Sequence, residues 1–130
     1  MYTDLEVYNK YLKAAQLHLS GAELLCHTEN VKKYANGIGA DWMPKFTRKI
    51  ISEINPTLVL AADIHDLRYA QGGDELDREF ADNEMLQNGL KLADDRYMWF
   101  DPRRYICRLQ MRKFHTILRE FGGLAWKKGE

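Results

Sequence analysis

Capping residues followed by proline, together with one pair of glycines, divide the second half of the chain into helices. Asn55-Pro56 and Asp101-Pro102 each place a capping side chain before a proline, which is typical of a helix start. Between them, Gly72-Gly73 ends one helix and Asp74 caps the next. These start and stop signals predict three helices, over about 56–70, 75–93 and 102–120. A two-glycine connection is short enough to make the first two an antiparallel pair.

The start of the chain predicts a further helix. Thr3 and Glu6 form the sequence signature of a capping box. Apolar residues then recur at steps of three and four, at Leu5, Tyr8, Leu12, Ala15 and Leu19. We expect this stripe to be the core face of a helix that ends near Ser20-Gly21.

The segment that follows is less regular. A short helical piece is predicted over 22–27, and another turn or two of helix over 45–53. Between them Gly37, Gly39 and Pro44 mark an irregular loop, with Trp42 and Met43 folded inward.

The later helices carry apolar stripes of their own. One side of the helix after Asp74 stacks Leu76, Phe80, Leu86 and Leu90, and the last helix aligns Cys107, Met111, Phe114, Leu118 and Phe121. No segment shows the alternation or the β-branched enrichment of a strand. The prediction is therefore a mostly α fold.

Composition sets the size and class of that fold. Apolar residues make up 45% of the 130 residues and charged residues 29%, which excludes intrinsic disorder. Two cysteines, Cys26 and Cys107, give no disulfide framework. We expect a single domain over 1–130, with a helical N-terminal region at 1–30 and a basic amphipathic helix at about 102–120.

Charge is balanced overall but uneven along the chain. The net charge is +1 over residues 1–60, −6 over 61–100 and +5 over 101–130. An acidic middle suits a cation site, and a basic end suits either an anionic partner or the acidic middle itself.

One histidine lies on a stripe that should face the protein interior. Leu58, Ala62, His65 and Tyr69 step by four, three and four residues along the predicted helix. His65 lies seven residues before Gly72, and Asp82 lies nine after Gly73, so the two come level across an antiparallel hairpin; Asp77 does not. A carboxylate that fixes the histidine tautomer suits a general base that activates water. The alternative is a structural hydrogen bond.

Two further features suit a cation beside this pair. Asp66 points about 100° away from His65 around the helix and can offer its carboxylate. The loop Asn36-Gly37-Ile38-Gly39 can turn backbone carbonyls inward, and calcium prefers such oxygen ligands. A plain turn is the alternative for the loop.

Taken together, the glycine loop, His65-Asp66-x-x-Tyr69 and Asp82 resemble the phospholipase A2 superfamily, in particular its disulfide-poor branch in viral and phage-encoded proteins. The resemblance covers about 35–86, and it implies a phospholipase A2-like core at about 35–93. It implies a calcium-dependent lipid acyl-ester hydrolase that acts on a phospholipid or membrane surface. The implied roles are His65 as base, Asp82 as its partner, Tyr69 as a hydrogen-bond donor to Asp82, and Asp66, Ala35, Gly37 and Gly39 as Ca²⁺ ligands, with the Gly37 amide as an oxyanion donor.

The sequence also departs from that family. Ala62 and Leu67 stand where familiar members have cysteines, and Tyr34 lies one residue from the position of the family's loop tyrosine. The interval from Gly39 to His65 is long for the family. The loop ligands are therefore the least specific part of the resemblance.

Two other functions remain open. HD-domain metal-dependent phosphohydrolases also use a His-Asp pair, with His18 or His27 and then Asp94, Asp95 or Asp101 as the further ligands of a transition metal. The second is a non-catalytic phage or prophage helical module on the same scaffold. The remaining histidines, His18, His27 and His115, show no ligand spacing among themselves.

Aromatic and basic residues raise the question of partners. Trp42, Trp99-Phe100 and Trp126 suit either a lipid-facing rim or core packing. The basic residues of the last helix, Arg103, Arg104, Arg108, Arg112 and Lys113, suit an anionic surface or plain solvation. We expect no nucleic-acid partner. With no basic start leading into an apolar stretch, we expect synthesis in the cytoplasm without a signal peptide, followed by virion association or release.

Overall fold

The computed structural model describes residues 2–35, 55–121 and 126, and these are mostly helical, which confirms the predicted class. We number the α-helices in chain order: α1 is Asp4–Gln16, α2 is Thr28–Tyr34, α3 is Val59–Gln71, α4 is Glu75–Arg96 and α5 is Pro102–Phe121. Short 3₁₀ helices cover Ala22–Cys26 and Pro56–Leu58, and the second leads directly into α3. None of the described ranges contains a strand.

The predicted helix starts are confirmed by their hydrogen bonds. Thr3 and Glu6 form the capping box of α1. The Asn55 side chain accepts from the Thr57 amide, and the Asp101 side chain accepts from the Arg103 amide. Asp74 caps α4 in a second capping box, with Asp77 as its reciprocal partner. Local sequence therefore determines where these helices begin.

The predicted core face is wrong within α1, although Leu19, which lies beyond the end of the helix, is buried as predicted. Val7 and Ala14 are its buried residues, whereas Leu5 is 68% exposed and Tyr8 58% exposed. The helix also ends at Gln16, because His18 adopts a left-handed conformation and the Leu19 amide turns back to the Ala14 carbonyl. Small Ala14 allows close packing at this end, whereas Leu5, Tyr8 and Leu12 of the predicted stripe are exposed.

The predicted side of α4 is wrong in its first half only, because Leu86 and Leu90 are partly buried against the core. Leu76 and Phe80 are exposed, and the buried face includes Ala81, Asp82 and Met85. α4 packs against both α3 and α5, so its inward positions carry polar groups with partners as well as apolar ones. Hydrophobicity alone does not identify such a face.

Packing between α4 and α5 depends on a glycine. A Cβ atom at Gly89 would lie 2.1 Å from Met111 Sδ, so the thioether occupies the space where a side chain would be. On α5 the predicted stripe is confirmed at four positions, since Cys107, Met111, Phe114 and Leu118 are all buried.

Other predictions were incomplete, were wrong or concern residues that the structure does not describe. Helix α2 was missed, because its N-cap residue His27 makes no side-chain capping hydrogen bond that a sequence could signal. Trp126 is buried, whereas Trp99 and Phe100 are exposed, so core packing is wrong for that pair. Gly37, Gly39, Trp42, Met43, Pro44, the helical turn at 45–53, the Phe121 side chain and Gly122-Gly123 lie outside the described residues.

The basic end meets the acidic middle directly. Arg104 and Arg108 of α5 both pair with Asp94 of α4, at 2.9 and 2.8 Å. Arg119, near the end of α5, pairs with Glu75 and Asp82. Internal complementarity therefore accounts for part of the uneven charge. No described helix is long and apolar enough to cross a bilayer.

Candidate functional site

The structure brings His65 of α3 and Asp82 of α4 together. His65 Nε2 lies 2.8 Å from Asp82 Oδ1, and both side chains are fully buried. An ionised carboxylate only accepts hydrogen bonds, so Nε2 is the donor when Asp82 is charged. The Nδ1 atom of a neutral His65 then carries the free lone pair that a base needs.

Tyr69 holds the same carboxylate oxygen. Its hydroxyl donates to Asp82 Oδ1 at 2.7 Å, and its ring lies one helical turn from His65 with centroids 4.2 Å apart. The Trp126 ring contacts Tyr69 edge-on at 4.9 Å, and its indole N–H donates to the Gly73 carbonyl. Burial raises the pKa of Tyr69 above its ordinary range, and the Asp82 charge adds to the rise. Tyr69 therefore remains a donor.

Two arginines that sequence reasoning missed hold the other oxygen. Arg119 Nη1 lies 2.8 Å from Asp82 Oδ2, and Arg78 Nη1 lies 3.6 Å from it. Burial alone would raise the pKa of Asp82, but the hydrogen bonds from His65, Tyr69 and Arg119 outweigh burial and lower it. The carboxylate thus stays ionised and fixed in orientation.

Glu75 keeps both arginines in place. It forms ion pairs with Arg78 at 2.9 Å and with Arg119 at 3.0 Å, and Arg78 also donates to the Leu118 carbonyl. The only sequence signal for this cluster was the four-residue spacing of Arg78 and Asp82 on α4.

Asp66 is the least satisfied group near the pair. It is fully buried, and neither carboxylate oxygen has a hydrogen-bond partner among the described residues. Burial raises the pKa of Asp66 well above its usual range, and the Asp63 charge raises it further. Asp63, one turn earlier, differs in having Tyr2 and Lys10 as partners.

The Nδ1 atom of His65 is a second unsatisfied polar group beside Asp66. It too is buried without a hydrogen-bond partner in the part of the chain that the structure describes. Buried polar atoms are almost always paired, so three orphaned atoms on consecutive residues call for a functional explanation. An oxygen-ligated cation would satisfy Asp66, and a water molecule would satisfy Nδ1. Within the described ranges Asp66 is a single carboxylate without a group of three His, Cys, Asp or Glu side chains around it, so the other oxygen ligands of a calcium ion would have to come from elsewhere, such as backbone carbonyls.

Of the predicted loop ligands, only Ala35 is described. It is buried and caps the end of α2, which packs against α3. Gly37 and Gly39 lie outside the described residues. The structure therefore brings together His65, Tyr69 and Asp82, with Asp66 next to His65 on α3, and leaves the loop as a prediction.

The residues of the HD-domain alternative do not converge within the described ranges. There, no three His, Cys, Asp or Glu side chains are grouped to hold a metal ion. His18 and His27 are exposed, and Asp94 and Asp101 pair with arginines of α5.

A second buried polar network lies beside the site. Glu84 accepts two hydrogen bonds from Arg68, both at 3.0 Å, and one from the Ser20 hydroxyl at 2.7 Å. Asn88 binds both the amide and the carbonyl of Ser20. These contacts fix the segment after α1 against α3 and α4.

Comparison of the chain with known protein families, with curated proteins and with solved structures finds no match in any of the three. Functional interpretation therefore depends on the geometry of these residues.

Proposed function

We propose that the protein is a phospholipase A2-like, calcium-dependent hydrolase of a lipid acyl ester. The supporting observation is that His65 binds Asp82 through Nε2, while its Nδ1 atom and the adjacent Asp66 carboxylate are buried without a hydrogen-bond partner among the described residues. One nitrogen is held and the other is available, which is the arrangement that a general base requires.

The proposed scaffold is an antiparallel pair of α3 and α4. His65 contacts Asp82, and Leu58 lies near Gly89, so earlier positions on one helix meet later positions on the other. This arrangement supports the site because two rigid helices hold the dyad.

His65 acts as the base in the proposed reaction. Nδ1 takes a proton from a water molecule, the water oxygen bonds to the ester carbonyl carbon, and the carbonyl π electrons move to its oxygen. When the intermediate collapses, the C–O bond to the alcohol breaks and His65 returns the proton to that alcohol. Asp82 stays ionised and stabilises the imidazolium.

Asp66 is the proposed carboxylate ligand for calcium, with the backbone carbonyls of Ala35, Gly37 and Gly39 completing the set that the family resemblance implies. A bound calcium ion supplies positive charge for the oxygen on which negative charge develops. Asp66 would hold and position this ion, and the burial of Asp66 would limit competition from solvent.

The test is release of fatty acid from phospholipid micelles or vesicles. Wild type is expected to be active with calcium and inactive with chelator, and His65→Ala inactive in both. His27→Ala removes an exposed histidine and serves as the matched control. Inactivity of wild type with calcium would favour the non-catalytic module, and phosphate release from a nucleotide with manganese would favour the phosphohydrolase.

A further inference from the structure

Large apolar side chains are exposed together around the α4–α5 connection. We call them the 98–109 patch. It comprises Met98 (63% exposed), Trp99 (71%), Phe100 (61%), Tyr105 (50%), Ile106 (54%) and Leu109 (65%). A soluble protein rarely leaves such a group uncovered unless something binds it.

Several members of the patch contact one another or share a helix face. The Trp99 and Phe100 rings meet edge-on with centroids 5.6 Å apart, and the Tyr105 hydroxyl donates to the Trp99 carbonyl. Tyr105 and Leu109 are four residues apart on α5 and therefore share a face. The opposite face of the same helix packs in the core, where Cys107 and Met111 are buried. The apolar side chains of the patch are therefore exposed on a helix that is otherwise well packed.

The turn that carries the two rings is held in shape. The Asp101 amide donates to the Met98 carbonyl at 2.9 Å, and the Asp101 side chain caps α5 and pairs with Arg103. The Arg103 guanidinium lies over the Tyr97 ring, 5.0 Å from its centroid. A fixed turn presents Trp99 and Phe100 outward with little conformational entropy to lose on binding.

The charge around the patch is positive. Residues 94–113 contain six Lys or Arg and three Asp or Glu. Asp94 and Asp101 are engaged by Arg104, Arg108 and Arg103, and Arg112 and Lys113 are exposed on the same helix. An anionic surface complements this charge.

The same charge argues against a second copy of the chain as the occupant. In a twofold interface each patch faces its own duplicate, which would bring two cationic borders together. Aromatic rings with flanking arginines instead suit the boundary between lipid headgroups and acyl chains.

We propose that the 98–109 patch docks the protein on an anionic phospholipid surface, with Trp99 and Phe100 entering the headgroup boundary. This goes beyond the proposed hydrolysis, because docking needs neither His65 nor calcium. The patch is also distant from the dyad: Arg96, the last residue of α4, lies about 21 Å of helix beyond Asp82.

The test is co-sedimentation with vesicles of ether-linked lipids in chelator, where no acyl ester exists to be hydrolysed. One set contains phosphatidylglycerol with phosphatidylcholine, and the other phosphatidylcholine alone. Wild type is expected to bind the anionic set, and more weakly as salt increases. Trp99→Ser with Phe100→Ser is expected to weaken binding about tenfold or more, as loss of two inserted side chains requires.

A matched control is Leu5→Ser with Tyr8→Ser, which removes comparable exposed apolar residues from α1. It should bind as wild type does. Arg112→Glu with Lys113→Glu should also lose binding to the anionic vesicles, which tests the charge separately from the rings. All these positions are exposed, so thermal melting should be unchanged.

Absence of binding to anionic vesicles would overturn the proposal. So would equal binding by wild type and the Trp99 and Phe100 variant. A dimer in light scattering that this variant dissociates, without vesicle binding, would make the patch a protein interface instead. Failure of hydrolysis leaves these measurements unaffected, so the two proposals fail separately.

Discussion

Arg119 Nη1 lies 2.8 Å from Asp82 Oδ2, on the opposite side of the carboxylate from the oxygen that His65 and Tyr69 share. Asp82 is therefore held from two helices besides its own. This contact predicts how the fold responds to acid.

Replacing Arg119 by Gln should destabilise the protein by about 1–3 kcal/mol near neutral pH, because a charged hydrogen bond to a buried carboxylate is lost. The pKa of Asp82 is lower in the folded than in the unfolded state. Its ionised form thus stabilises the fold above the ordinary value of 3.8, and this stabilisation is lost as pH falls through the folded pKa.

The Arg119→Gln variant should lose less stability on acidification than wild type. Urea unfolding at a series of pH values measures both effects, with Arg112→Gln on the exposed side of α5 as the control. Identical pH profiles for wild type and Arg119→Gln would contradict the assigned contact.

Replacing Asp66 by Asn should have the opposite pH signature. The pKa of Asp66 is raised on folding, so its contribution is fully present below 3.8 and is lost as pH rises toward the folded pKa. Without calcium, Asp66→Asn should therefore unfold at a higher temperature than wild type at neutral pH. Asp95→Asn, at an exposed position, should not.

Calcium should make wild type unfold at a higher temperature than Asp66→Asn. Binding to the native state alone stabilises wild type by about 2.7 kcal/mol when calcium is 100-fold above its dissociation constant. Asp66→Asn should show no such gain. Titration calorimetry that detects no calcium binding to wild type at millimolar concentration would remove the proposed electrophile.

Gly89→Ala tests the packing of α4 on α5. The added Cβ would meet fully buried Met111, whose side chain has no solvent to move into, so we expect a loss of about 1–3 kcal/mol. Gln87→Ala, exposed on the same helix, is the control. Wild-type stability in Gly89→Ala would mean that the two helices do not approach this closely.

Local signals predicted every helix start except that of α2, which has no side-chain cap. Contacts between helices explain the site residues that the sequence missed. Caps such as Asn55 and Asp74 act within three residues, so a short motif contains all the information. Counting from the glycine turn likewise put His65 level with Asp82. Arg119 lies 37 residues from Asp82, and the crossing of α5 over α4 that joins them has no local pattern.

The buried faces of α1 and α4 were also predicted wrongly in part, because packing with distant segments decides them. Helix α1 has two faces that carry apolar residues. The larger residues Leu5 and Tyr8 favoured one of them as the buried face, whereas the face with the small residue Ala14 is the one that packs in the core. On α4, buried Glu84 and Asn88 have polar partners from distant segments, which no periodicity of apolar residues reveals.

The central claim is that Asp82 supports His65 in catalysis, and its most direct test is the rate of fatty acid release by two matched variants. Asp82→Asn keeps the shape but removes the charge that stabilises the imidazolium, and turnover should fall about a hundredfold or more. Asp77→Asn changes an exposed carboxylate that only completes the α4 capping box, so it should cost about 1 kcal/mol of stability at most and leave turnover near wild type. Equal rates for wild type and Asp82→Asn, at saturating calcium and with both proteins folded, would contradict the account.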